Sequence, residues 1–81
     1  MDYYLFTARS ITRSQKMDAE LRRRGIRAEI VRPPSVLSEK GCAYALRLSP
    51  RHYASALRIL TEKGIPPDRV YRYDGERYEK L

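Results

Sequence analysis

Gly41-Cys42-Ala43-Tyr44-Ala45-Leu46-Arg47-Leu48-Ser49-Pro50 is the stretch on which the fold turns. Tyr44, Leu46 and Leu48 alternate with Ala43, Ala45 and Arg47, the period-two pattern of a strand with one buried face. Ser49-Pro50 then changes the period. The serine offers an N-cap oxygen, and proline at the first helical position gives up only an N–H that a first turn leaves unused. The spacing predicts a strand over about 42–48 and a helix running to about residue 63. Tyr53, Ala56, Leu57 and Leu60 form that helix's buried stripe, and Gly64 closes it.

Working towards the N-terminus, Pro33-Pro34 ends a strand at about 28–32, because neither proline can donate to a sheet ladder. Residues 33–41 are then an irregular loop. Before it, Gly25 ends a helix over about 11–24 that starts behind Ser10 as N-cap. Met17 and Leu21 lie four apart on its apolar face, with Ser14 beside them. Residues 2–7 hold the apolar run Tyr3-Tyr4-Leu5-Phe6 and read as a central strand. Working towards the C-terminus, Pro66-Pro67 turns the chain into a strand over about 69–73, and Asp74-Gly75 turns it out again.

The order is βαββαβ, and its two halves share a helix, a Gly-Ile pair (Gly25-Ile26, Gly64-Ile65) and a strand. A four-stranded antiparallel sheet with both helices on one face satisfies that order with right-handed crossovers. The expected class is therefore α+β, ferredoxin-like, in one domain over 1–81. Its core spans about 2–73, and the charged tail 74–81 is expected to fray.

Composition narrows the function. Eighty-one residues make one domain without room for both a core and a deep substrate pocket, so a carrier or binding protein fits better than a stand-alone enzyme. One cysteine makes no internal disulfide, no apolar run is long enough to span a membrane, and no signal peptide is recognisable. The expectation is a soluble cytoplasmic protein. The net charge of +7 serves either an anionic partner, such as RNA or an acidic protein surface, or solubility alone.

Cys42 is the leading candidate for chemistry. A thiol acts as nucleophile or sulfur acceptor in its thiolate form, which a positive neighbourhood favours. Lys40, Arg47 and Arg32 are the nearby cations in sequence, and Gly41 removes bulk beside the sulfur. The other reading of Cys42 is a small residue packed at a strand start. Cys42 and His52 alone cannot close a metal site, so no metal or cofactor is expected. Arginines on and after the first helix, with Tyr3 or Tyr4, Tyr44, and Tyr71 or Tyr73 on the sheet, keep an RNA-binding module open as the alternative. The third strand lacks the basic, glycine-and-aromatic signature that RNA readers of this topology carry.

Taken together, the aromatic first strand, the proline-serine loop, the Cys-Ala-Tyr-Ala-Leu-Arg strand and the two Gly-Ile helix ends resemble a known family. It is the family described as putative selenium/sulfur carrier protein-like, and the resemblance covers roughly residues 2–73. It implies that Cys42 transiently holds a sulfane sulfur, supplied by a cysteine desulfurase or another sulfur-transfer protein. Pro33, Pro34 and Gly41 frame that loop. Ala43 stands where the family usually has glycine, Ser35-Val36 stand where an arginine commonly follows the prolines, and the loop is about one residue longer. A homodimer that extends its sheet is a further expectation.

Overall fold

The structure is a computed structural model that describes residues 2–34 and 44–81. Strand β1 (Tyr3–Ala8) leads into helix α1 (Ile11–Arg23), and strands β2 (Glu29–Val31) and β3 (Tyr44–Leu48) follow. A 3-10 turn (Pro50–His52) precedes helix α2 (Tyr53–Glu62), and strands β4 (Val70–Tyr73) and β5 (Tyr78–Lys80) finish the chain. The sheet order is β2-β3-β1-β4-β5, and every neighbouring pair is antiparallel.

The α+β class and the two helices hold, but the sheet has five strands rather than four. The segment expected to fray contains β5, which pairs Tyr71 with Lys80, Arg72 with Glu79 and Tyr73 with Tyr78. The turn before it is held by Asp74, whose Oδ1 accepts the backbone N–H groups of Glu76 (2.9 Å) and Arg77 (3.0 Å). Those two bonds, Arg77 first, hold the Asp74 carboxyl below its ordinary value of 3.8. At the end of the chain, the Leu81 N–H donates to Val70 O at 2.9 Å.

Local signals explain the helix ends. Ser10 caps α1, its Oγ accepting the Arg13 N–H at 3.2 Å. Gly25 and Gly64 leave the two helices at φ 77° and 75°, where a Cβ would be strained. Ser49 acts differently from expectation. Its side chain caps nothing, and its carbonyl accepts the His52 N–H in the 3-10 turn. Proline at the first position favours that tight turn, so the α-helical ladder begins only at Tyr53.

Both helices pack on one face of the sheet. Phe6, Leu46 and Leu48 meet Met17 and Leu21 of α1 and Ala56, Ile59 and Leu60 of α2. Ile59 joins the expected stripe, and Tyr53 and Leu57 are half-buried at its margin. Tyr4 stacks on Tyr53, with ring centroids 4.1 Å apart and planes 11° from parallel. The opposite face carries a smaller cluster of Leu5, Ala45 and Tyr71, flanked by Tyr3, Val31 and Tyr78.

Candidate functional site

Strand register defines two ends of the sheet. At one end Ala8 lies opposite Tyr44, and Val31 lies opposite Ala45. Arg32, Pro33 and Pro34 leave β2 there, and β3 begins there at Tyr44. Cys42, Lys40 and Gly41 lie outside the described residues, in the segment that joins these two strands at that end. The start of α1 and the segment leading into β4 complete the same end. Thr7 Oγ1 accepts the Arg69 N–H at 2.9 Å and donates to Arg69 O at 3.2 Å.

This end is rich in guanidinium groups. Arg32 lies over the Tyr44 ring, 5.4 Å from its centroid. Asp68 faces Arg9 at 3.8 Å and Arg13 at 4.0 Å, and Arg13 Nη2 donates to Pro66 O at 2.7 Å. The Arg9 side chain is 86% exposed, so its pairing with Asp68 leaves the charge open to an incoming anion. Sequence reading counted Arg9 and Arg13 among the first-helix arginines of the RNA-binding alternative and missed both Asp68 and their grouping with Arg32, because only the antiparallel register brings residues 8, 32, 44 and 69 to one end of the sheet. Pro33 is buried and Pro34 half-buried, which pins the chain where it leaves β2.

Arg32 and Arg47, which the sequence groups around Cys42, do not come together. Tyr44, Leu46 and Leu48 point to the helix face, so Arg47 points to the other. It pairs there with Glu29 and lies 5.5 Å from the Tyr3 ring centroid. Arg47 is also three residues further along β3 than Tyr44, about 10 Å at the usual strand rise. Of these two arginines, Arg32 is the one next in sequence to the segment that contains Cys42.

The tyrosines divide by the same parity. Tyr4 and Tyr44 lie on the helix side, whereas Tyr3, Tyr71, Tyr73 and Tyr78 share the open face. Tyr3 and Tyr73 are 4.8 Å apart between centroids, and Tyr73 and Tyr78 4.7 Å. The Tyr3 and Tyr78 hydroxyls are hydrogen-bonded at 2.6 Å. Burial and that bond push the Tyr78 phenol well above its ordinary value of 10.0. Among the described residues, no three His, Cys, Asp or Glu side chains group to hold a metal, and no helix is long and apolar enough to cross a membrane.

The fold is that of a small α+β domain whose one cysteine falls, in sequence, between β2 and β3 and outside the described residues. The chain belongs to the family described as putative Se/S carrier protein-like, which it matches over residues 3–72. Neither a curated protein nor a solved structure matches it.

Proposed function

We propose that the protein is a sulfur or selenium carrier and that Cys42 is the atom-bearing residue. Family membership over residues 3–72 is the observation that carries this reading. The cysteine is the chain's only thiol, so any sulfur held covalently as a persulfide falls to it.

The transfer balances without an outside oxidant. The Cys42 thiolate attacks the terminal sulfur of a donor persulfide, such as the one a cysteine desulfurase forms. A sulfur–sulfur bond forms on Cys42 as the donor's breaks, and the donor leaves as a thiolate. Delivery to an acceptor thiolate reverses the roles. Arg32 and Lys40 are the cations proposed to favour the thiolate and the charged persulfide. Arg9 adds positive charge at the same sheet end, and Arg47 is assigned to the sheet, through Glu29 and Tyr3.

Incubation with a desulfurase and cysteine, followed by intact mass measurement, tests the proposal. One added sulfur on the wild-type chain and none on Cys42→Ala is the expected result. No addition to the wild type, or equal addition to both, overturns it.

A further inference from the structure

We infer that two copies of the chain dimerise by exchanging the C-terminal strand, β5 of each taking the place of β5 on the β4 edge of the other. The sequence of the hairpin carries the inference. Arg72-Tyr73-Asp74 closes its first arm, and Arg77-Tyr78-Glu79 opens its second. Each reads arginine, tyrosine, acid. Antiparallel pairing therefore sets Arg72 opposite Glu79 and Tyr73 opposite Tyr78, and the Asp74 N–H donates to Arg77 O at 3.3 Å. Opposite charges and facing aromatic rings both stabilise a strand pair. The first arm finds the same complement in its own second arm or in that of another copy.

The contacts of β5 do not depend on which chain supplies it. They are the Tyr3–Tyr78 hydroxyl bond at 2.6 Å, the Tyr73–Tyr78 ring contact at 4.7 Å, and Arg72 Nε at 3.9 Å from Glu79 Oε1. The bend at Gly75-Glu76 is what ties the strand to its own chain. There Asp74 Oδ1 accepts the Glu76 and Arg77 N–H groups, and Gly75 has φ 101°, a region that favours glycine. With the bend opened, residues 70–81 form one extended strand. Laid antiparallel on the same strand of a second copy, it keeps the native register, and each hairpin pair is made twice, once at either end. The residues of the bend then pair as well, which a single copy does not allow.

Other self-pairings fit less well. Two β4 edges joined directly match Arg72 with Asp74 but leave both β5 strands without a partner. Two β5 edges offer three residues each. Strand β5 also lies beyond residues 3–72, the part matched by the family, so the exchange is independent of the carrier reading.

Gly75→Val separates the two states. A β-branched residue is strained at φ 101° but suits an extended strand, so the substitution penalises the bend, and two bends are relieved in each dimer. Size-exclusion chromatography with light scattering is expected to show dimerisation on the order of a hundredfold tighter than in the wild type. In dimers made from isotope-labelled and unlabelled chains, the NMR contacts between the Tyr73 and Tyr78 rings are expected to run between copies. The Asp74 and Leu81 N–H bonds across the ladder make Arg72 and Glu79 a hydrogen-bonded pair. Proline at residue 79 removes that bond, so Gly75→Val/Glu79→Pro is expected to be monomeric. Circular dichroism establishes that each variant folds. A monomeric Gly75→Val, a dimer that survives Glu79→Pro, or Tyr73–Tyr78 contacts found only within one copy overturns the proposal.

Discussion

The two faces of the sheet are covered in different ways. The helix face receives its cover from elsewhere in the chain, and Phe6, Leu46, Leu48 and Leu60 are all at most 1% exposed beneath it. Among the described residues no helix covers the open face, which takes its cover in part from its own side chains. Tyr3, Tyr73 and Tyr78 lean on one another beside Leu5 and Tyr71. The lesson is that side-chain alternation along a strand fixes which face a residue serves, while the source of cover fixes how rigidly it is held. A close-packed helix layer relaxes little when a side chain is removed, whereas a partly exposed tyrosine layer can settle into the space.

The largest expected effect comes from truncating one residue on each face. Phe6→Ala is expected to cost about 3–5 kcal/mol, and Leu5→Ala about 2 kcal/mol, the low end for such a change. Urea unfolding of both variants measures the difference, and equal losses would erase the distinction between the two faces.

A smaller effect is expected at the tyrosine hydroxyls. Tyr78→Phe removes the 2.6 Å bond to Tyr3 and is expected to cost about 1 kcal/mol or less near neutral pH. The folded-state pKa of Tyr78 is raised, so its contribution is full below the ordinary value of 10.0 and is lost as pH climbs above it. The wild type should therefore lose more stability than Tyr78→Phe between about pH 8 and about pH 11.

The smallest effect is local. Asp74→Ala removes both turn bonds, so the Leu81 amide should exchange faster while core amides keep their protection. The folded-state pKa of Asp74 is lowered, so in the wild type the turn holds above pH 3.8 and loosens as pH falls below it. Amide exchange by NMR reads both changes.

Much of this architecture is legible in the residues. Ser10, Gly25 and Gly64 punctuate the helices where their chemistry requires, and the Tyr44-Leu46-Leu48 alternation sets the faces of β3. Strand β5 was hidden because Tyr78-Glu79-Lys80 offers a single apolar side chain, too little for a periodic signal. The available clue was Asp74-Gly75 with tyrosines on either side, which is hairpin chemistry. In β1 the run Tyr3-Tyr4-Leu5-Phe6 is apolar at every position, so pattern alone does not sort its residues between the two faces. At the candidate site, parity along β3 already separates Arg47 from Tyr44, although proximity in sequence groups Arg47 with Cys42. The arginines of α1 and the segment before β4 reach that end only through long-range pairing, which no local window contains.

The outermost strands, β2 and β5, are three residues long, and their lengths bear on how this protein behaves when concentrated. An unpaired strand edge is a template on which another chain can crystallise its own backbone into fibrils. Here each template offers three residues, with Glu29 on one edge and Glu79-Lys80 on the other. Charged side chains on so short a rail give an incoming strand little to register against. Among the described residues, edges this short and this charged argue against strand-by-strand association of one copy with the next.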